Sequence, residues 1–235
     1  MVLQCHILDT PDKAGAYAAQ LIADAATAAI ACRGRCSIAL SGGRTPRPLL
    51  EALATASLDW QRMHVFQVDE RIAAAASGHR NAGQILSLLI DRVPLPRSNL
   101  HLMPVEADDR EAAARSYFAD MNRIAGTPPR LDVVHLGLGE DGHTASLVPG
   151  DPALEMLDAG VAVSGIYQGY RRMTLTFPVL DAARLVLFFV TGSSKQNILA
   201  RLVAGDEAIP AARVRADGAI LVADRAAMPQ EVIRT

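Results

Sequence analysis

Residues 36–53 read CSIALSGGRTPRPLLEAL, and this stretch contains the unit from which the fold class is predicted. The apolar run Cys36–Leu40 leads into a Ser-Gly-Gly turn, and a helical pattern begins at Pro46. On both sides of this stretch, runs rich in Val, Ile and Leu alternate with Ala-rich segments of helical period. Such alternation is typical of βα units, which assemble a mostly parallel sheet. We therefore predict an α/β fold in which helices flank a mostly parallel sheet.

The individual elements are predicted from the same patterns. Strands are expected at Leu3–Leu8, Cys36–Leu40, 64–68, 131–138, 160–166, 173–177 and 185–191. Helices are expected at 12–32, 46–54, 81–91, 108–124 and 194–203, with loops at 92–104 and 126–130. Because no flexible linker, charge block or repeat divides the chain, residues 1–235 are predicted to form one domain.

Composition narrows the class of function. The 235 residues include 23 Lys and Arg against 25 Asp and Glu, a net charge of -2. Such a balance disfavours nucleic acid or an anionic membrane as the partner and favours a small molecule. The first residues lack a signal-peptide pattern, and no apolar run uninterrupted by charge is long enough to span a bilayer, so a cytoplasmic protein is expected. The oligomeric state stays open between a monomer and a small homo-oligomer.

The three cysteines are Cys5, Cys32 and Cys36. Their odd number and their spacing support neither a disulfide framework nor a zinc site. The glycine turns match neither the Walker pattern nor the dinucleotide fingerprint. The sequence therefore predicts an enzyme that uses no metal and no cofactor.

The glycine turn after Cys36–Leu40 is a candidate anion-binding site. Glycines let the backbone approach a ligand, and the N-terminus of the following helix offers unpaired N–H groups. Ser41, Gly42, Gly43 and Thr45 are therefore candidate substrate-binding residues. The alternative is an ordinary strand-to-helix turn in which Thr45 is the helix N-cap.

Three charged residues, Asp69, Glu70 and Arg71, directly follow another predicted strand. In open parallel sheets the ligand lies beyond the carboxyl ends of the strands, so these side chains are directed towards a site there. Arg71 is a candidate phosphate ligand, and Asp69 is a candidate to orient a hydroxyl, a histidine or a cation. The alternative is a solvated loop. Residues 73–78 are expected to form a flexible or lid-like loop, and Asn81 is a candidate N-cap of the next helix.

The most specific signal lies in residues 131–150, LDVVHLGLGEDGHTASLVPG. Here an apolar strand ends at glycines, and His143 follows on a glycine-bounded turn. Imidazole is the side chain best suited to take a proton from water at neutral pH, so His143 is the candidate general base. Asp141 is a candidate to position it, and Asp69 and Glu140 are the alternatives for that role.

The fourth segment, residues 171–199, reads RRMTLTFPVLDAARLVLFFVTGSSKQNIL. Lys195 lies at the start of a predicted helix, where a positive charge opposes the helix dipole. A nearby anionic ligand explains this position better than a surface charge does. In the Arg171-Arg172 pair, alternation along the strand favours Arg172 as the residue that faces the ligand.

Taken in order, these four segments resemble the 6-phosphogluconolactonase family. SGGRTP at 41–46 is similar to that family's SGGSTP, and VDER at 68–71 to its DER. Residues 137–150 are similar to its GxGxDGHTASLFPG, and residues 171–195 to its RxTLTxPxLNxAxxxxFLVTGxxK. The resemblance implies a single-domain, Rossmann-like α/β fold similar to glucosamine-6-phosphate deaminases. It also implies a phosphorylated sugar lactone as the partner and no metal or cofactor.

The resemblance further implies roles for particular residues. His143 would activate the water that attacks the carbonyl of 6-phospho-D-glucono-1,5-lactone, in the second step of the oxidative pentose phosphate pathway. Arg71 and Lys195 would hold the phosphate or neutralise developing charge, with Arg172 as a further member. The Gly42-Gly43 turn would complete the anion cradle.

The sequence departs from the family pattern at several positions. Arg44 replaces the family's serine, and Val148 replaces its phenylalanine. Ala73-Ala74 stands in place of Val-Pro, and Arg80-Asn81 in place of Ser-Asn. The functions of Arg44, Arg80 and Asn81 therefore stay open, as does whether the loop at 72–81 closes on substrate.

Two other functions are weighed against the lactonase. In glucosamine-6-phosphate deaminases the histidine precedes Ile-Gly-Phe-Asn-Glu-Pro, whereas His143 precedes TASLVP at 144–149. A non-catalytic sugar-phosphate sensor is the third possibility. No helix-turn-helix extension precedes Met1 and His143 is kept, so the lactonase is preferred.

Overall fold

Seven parallel strands form the central sheet of the computed structural model, which describes residues 3–43 and 45–229 and, at residue 76, the backbone only. The strand order is β1-β10-β9-β6-β2-β3-β5, and every neighbouring pair is parallel. The strands are β1 (Leu3–Leu8), β2 (Cys36–Leu40), β3 (Met63–Gln67), β5 (Leu100–His101), β6 (Val133–Leu136), β9 (Val186–Val190) and β10 (Ala219–Asp224). The predicted α/β fold with a mostly parallel sheet is confirmed.

Six α-helices are present in the described part of the chain. They are α1 (Pro11–Arg33), α2 (Arg47–Ala54), α3 (Asn81–Leu88), α4 (Arg110–Ala125), α5 (Phe177–Ala182) and α6 (Gln196–Val203). The side chain of Thr10 caps α1 by accepting a hydrogen bond from the amide of Lys13. The helix ends at Gly34, which has φ +74°, a conformation that glycine adopts at little cost.

The apolar core lies on both faces of the central sheet. Along β2, Ala39 packs into one cluster, whereas Ile38 and Leu40 pack into the other. One cluster includes residues of α4, α5 and α6, and the second includes residues of α1, α2 and α3. Because both faces are covered, the central strands are mostly apolar, as parallel strands usually are. This packing leaves the ends of the strands for the site.

Helix α1 is, among the described residues, a segment long and apolar enough to cross a membrane by length and composition. What was expected from the sequence is the absence of a spanning run uninterrupted by charge, and Asp24 interrupts this helix. In the fold, Ala14, Ile22 and Ala26 of this helix are fully buried in the cluster that includes α2 and α3. Helix α1 is thus a core helix of the domain in this structure.

A second, three-stranded sheet is antiparallel and has the order β4-β8-β7. Its strands are β4 (Asp69–Arg71), β7 (Val161–Val163) and β8 (Arg172–Leu175). The predicted strands at 160–166 and 173–177 correspond to β7 and β8, which pair here and not in the central sheet. The charged triplet at 69–71 is a strand and not a solvated loop, because it pairs with β8.

Some elements differ from the sequence prediction. The short strand β5 falls within the loop predicted at 92–104, and β10 lies beyond the last predicted element. Helix α5 begins at Phe177, which was assigned to a strand because the residues around it are apolar. The helix predicted at 194–203 begins with a 3₁₀ turn, Ser193–Lys195, before α6.

Candidate active site

The predicted site residues meet in a cleft of about 230 Å³ at the carboxyl ends of the parallel strands. The cleft is lined by residues that follow β2, β3, β6 and β9 and by the start of β8. Among the lining residues are Ser41, Gly42, Gly43, Thr45, Asp69, Arg71, His143, Arg172 and Lys195. The carboxylate of Asp141 hydrogen-bonds to the imidazole of His143. The structure thus brings the four sequence segments together, whereas Arg44 lies outside the described residues.

The glycine turn after β2 approaches the cleft closely. The amide of Gly43 donates to Oε1 of Gln84 at 2.6 Å, and its φ of +110° requires glycine. A Cβ at Gly42 would lie 2.5 Å from the Cβ of Asn81, so a larger residue would displace that side chain. Thr45 does not cap α2, because Pro46 is the N-cap residue. The turn is therefore packed against α3 and is open to the cleft.

His135 contacts the same turn through Ser41, and this contact was not predicted from the sequence. Its Nδ1 lies 3.3 Å from the amide of Ser41, whose hydroxyl donates to the His135 carbonyl at 2.9 Å. Complete burial lowers the pKa of His135 to about 4, so the ring is neutral near pH 7 and Nδ1 can accept this hydrogen bond. Its one signal in the sequence is that it interrupts an apolar run.

Glu70 is fully buried and joins β4 to the start of α3. Its carboxylate accepts hydrogen bonds from the amides of Arg71 and Asn81, both at 2.7 Å. It also accepts from the amide of Ala82 and from Nε2 of Gln67, both at 2.8 Å. A carboxylate with this many donors is stable when buried, and it anchors the N-terminus of α3.

Asn81 is the first residue of α3 and is not its N-cap, which is Arg80. Its Nδ2 donates to the carbonyl and to Oδ1 of Asp69, and its Oδ1 accepts from Nη1 of Arg71 at 3.1 Å. The other carboxylate oxygen of Asp69 accepts from the hydroxyl of Ser146 at 2.5 Å. Asp69 thus holds the Ser146 hydroxyl, and its predicted role in substrate binding stays a prediction.

The loop between β4 and α3 lies against the rest of the domain. Nη1 of Arg71 donates to the carbonyl of His79 at 2.7 Å. The carboxylate of Glu106 accepts from the amide of Ala75 and forms an ion pair with Arg80 at 3.3 Å. The loop is therefore held at both its middle and its end. Whether it closes on substrate stays a prediction.

His143 and Asp141 form the hydrogen-bonded pair that the sequence suggested. Nδ1 of His143 lies 2.6 Å from Oδ1 of Asp141, which also accepts from the His143 amide at 3.2 Å. With Nδ1–H donated to the carboxylate, Nε2 has the free lone pair. A Cβ at Gly139 would collide with the imidazole, so the glycine is needed there. Asp141 is thus the carboxylate that contacts the imidazole, whereas Asp69 contacts Asn81 and Ser146.

The pKa of Asp141 reflects opposing influences. Partial burial alone would raise the pKa of its carboxyl. The charge of His143 and hydrogen bonds from His143 and Tyr167 outweigh this effect, so the net pKa lies below the usual value. Asp141 is therefore ionised at neutral pH.

Arg172 lies on β8 with only 4% of its surface exposed, and it lines the cleft. Its Nε and Nη2 atoms are buried and have no hydrogen-bond partner among the described residues. Its neighbour Arg171 is exposed, as alternation along the strand predicted. Arg171 forms an ion pair with Glu111 at 3.6 Å. Buried donors without an acceptor are costly, so the guanidinium is suited to an anionic ligand. Lys195 lines the same cleft from the turn before α6.

Possible metal ligands do not cluster in the described part of the chain. Within residues 3–43 and 45–229, no three His, Cys, Asp or Glu side chains converge as a metal ion requires. Independence from metals stays a prediction.

Comparison with known proteins first defines the class. Residues 9–222 match the family model described as glucosamine-6-phosphate isomerases/6-phosphogluconolactonase. The chain therefore belongs to this family, and it is an enzyme, as the resemblance implied.

Individual proteins are similar to this chain over most of its length. The chain is 44% identical over 184 residues to the 6-phosphogluconolactonase of Synechocystis sp. The aligned segment covers 76% of this chain and 75% of that protein. The crystal structure of 6-phosphogluconolactonase from Thermotoga maritima has a TM-score of 0.85 at 26% identity, covering 95% of this chain and 100% of that one. A monomeric glucosamine-6-phosphate deaminase has a TM-score of 0.84 at 18% identity, covering 96% and 98%. The last similarity shows the shared fold alone and confirms the predicted likeness to that fold.

Proposed function

We propose that this enzyme hydrolyses 6-phospho-D-glucono-1,5-lactone to 6-phospho-D-gluconate, the second step of the oxidative pentose phosphate pathway. The observation that carries the proposal is the His143–Asp141 pair, joined at 2.6 Å, in one cleft with Arg71, Arg172 and Lys195. A base and several cations in one cleft suit water attack on a phosphorylated ester. The similarity to enzymes named 6-phosphogluconolactonase supports this assignment.

The proposed reaction begins at the free nitrogen of His143. Nε2 takes a proton from water as the water oxygen attacks the lactone carbonyl at C1. The charge of Asp141 stabilises the imidazolium that forms. The tetrahedral intermediate then collapses, the bond between C1 and the ring oxygen breaks, and the ring oxygen receives the proton from His143. One water is consumed, and the ring opens to the free acid.

The cationic side chains are assigned to substrate binding. Arg71, Arg172 and Lys195 would hold the phosphate or neutralise the negative charge that develops at the carbonyl oxygen. Around Gly42, Gly43 and Thr45, the backbone would complete the anion cradle through the N–H groups of Gly42 and Thr45, since the Gly43 amide donates to Gln84. This assignment uses protein groups alone, without a metal ion or cofactor.

The first test is hydrolysis of freshly generated 6-phosphogluconolactone by the wild-type enzyme, with a chelator present. Hydrolysis well above the spontaneous rate, unaffected by the chelator, is expected. The deaminase is the second candidate because of the shared fold. Release of ammonia from glucosamine 6-phosphate without lactone hydrolysis would favour it, and binding without turnover of either compound would favour a sensor.

A second prediction concerns the cations. Lys195→Ala and Arg71→Ala should each raise KM by roughly 10- to 100-fold, with a smaller effect on kcat, because a charge-assisted hydrogen bond to the phosphate is lost. Steady-state kinetics of each purified variant measures both constants. Lys13→Ala is the matched control, since Lys13 pairs with Asp9 on the surface. A fall in kcat with unchanged KM in the two cleft variants would contradict the binding role.

A further inference from the structure

The hairpin between β7 and β8 ends in a two-residue turn beside the cleft. Tyr167 and Tyr170 pair across it, with amide-to-carbonyl distances of 2.9 and 3.2 Å. Gln168 and Gly169 between them have φ values of +49° and +83°. Positive φ at both central residues defines a type I′ turn, which is costly for glutamine. The turn places Gln168 in the wall of the cleft and Tyr167 beside His143.

The hydroxyl of Tyr167 lies beside the proposed base, 3.5 Å from Nδ1 of His143. Burial raises the pKa of Tyr167, and its interaction with the Asp141 carboxylate raises it further. The phenol is therefore protonated at neutral pH, and its O–H is available to the His143–Asp141 pair. Nε2 of Gln168 donates in turn to the phenol oxygen at 3.2 Å.

The ring of the same tyrosine contacts the buried cation. The guanidinium carbon of Arg172 lies 5.0 Å from the ring centroid of Tyr167, within the range of a cation–π interaction. Arg172 has no hydrogen bond to its buried Nε and Nη2 atoms, so the ring is a contact that can fix its position. The edge of the His143 ring faces the Tyr167 ring, with centroids 5.2 Å apart.

We infer that Tyr167 is a positioning residue. Its hydroxyl holds the His143–Asp141 pair, and its ring holds the buried Arg172. One side chain thereby sets the separation between the group that activates water and a cation of the anion pocket. The inference rests on the proposed function for its kinetic consequence. The two contacts use different parts of the side chain, so substitutions can separate them.

Two substitutions make the test. Tyr167→Phe removes the hydroxyl and keeps the ring, so kcat should fall roughly 10-fold, the effect of one hydrogen bond to a charged group, with KM within about 2-fold of wild type. Tyr167→Leu removes both contacts, so kcat should fall equally and KM should rise about 5-fold as Arg172 loses its aromatic contact. Tyr170→Phe is the matched control, because this residue pairs across the same turn and contacts His79. Its kinetics should equal those of wild type.

Wild-type kinetic constants in Tyr167→Phe, or equal KM changes in both Tyr167 variants, would overturn the inference. Thermal unfolding of each variant separates a folding defect from a change in the site. Two measurements need no turnover, so they decide the inference even if the lactonase assignment fails. Calorimetry with inorganic phosphate should show weaker binding in Tyr167→Leu alone. The ¹⁵N NMR signals of the His143 ring should shift in both Tyr167 variants and stay unchanged in Tyr170→Phe; the absence of either effect contradicts the corresponding contact.

Discussion

Replacing His143 by alanine should lower kcat for 6-phosphogluconolactone hydrolysis by roughly 10²- to 10⁴-fold, the usual contribution of a general base. KM should change by less than about 3-fold, because the cations proposed to hold the phosphate remain in place. Steady-state kinetics, corrected for the spontaneous reaction, measures both constants. The remaining rate would come from charge stabilisation in the cleft.

Two further variants make the His143 experiment specific. Asp141→Asn should reproduce much of the loss, because an amide cannot stabilise the imidazolium that forms when Nε2 takes the proton. His6→Ala is the matched control, since His6 lies on β1 and hydrogen-bonds to Tyr17. Full activity in His143→Ala would remove the general base from the mechanism, and loss of activity in the control would show that the effect is not specific.

The largest effect on stability is expected from Glu70→Ala. The substitution leaves four N–H donors, in Gln67, Arg71, Asn81 and Ala82, without their acceptor, and three of these hydrogen bonds are fully buried. The free energy of unfolding should fall by about 3 to 5 kcal/mol, since each lost acceptor leaves a buried donor to be desolvated. The melting temperature should fall by roughly 6 to 20 °C for a chain of this size. Thermal unfolding followed by circular dichroism measures the change.

The control for Glu70 is a glutamate of ordinary surface character. Glu51 forms an exposed ion pair with Arg47 one helical turn away, at 3.0 Å. Its replacement by alanine should change the unfolding free energy by less than about 0.5 kcal/mol. If Glu70→Ala unfolded at the wild-type temperature, the buried carboxylate would not be the anchor of α3.

The sequence allowed the main framework to be predicted because local patterns determine it. Several features follow from residues that are close together in the chain. They are strand β2 with the glycine turn after it, the His143–Asp141 pair, and Lys195 before α6. The carboxyl-edge rule for parallel sheets then predicts that their side chains converge. Structure confirmed the fold class, whereas the catalytic and binding functions of these residues remain proposals.

Contacts between distant segments could not be predicted in this way. Glu70 belongs to a charged triplet that suggests solvent exposure, and its burial depends on amides in α3. The placement of β4 beside β8 brings Arg71 opposite Arg172, a pairing with no local signature. Tyr167 lies 3.5 Å from Nδ1 of His143 only because the β7–β8 hairpin ends beside the cleft. The identity of a single charged or aromatic residue does not predict which distant residues it will contact.

The place of β1 at the sheet edge has a consequence for synthesis on the ribosome. Leu3–Leu8 pairs in parallel with Ala219–Asp224, so β1 is translated well before its strand partner. At a typical synthesis rate this partner is made roughly 10 to 40 s after β1. During that interval the backbone N–H and C=O groups that β1 will pair with β10 lack their native partners, while β2, β3 and β6 are translated. The sheet is therefore completed at this edge only after its central strands have been made.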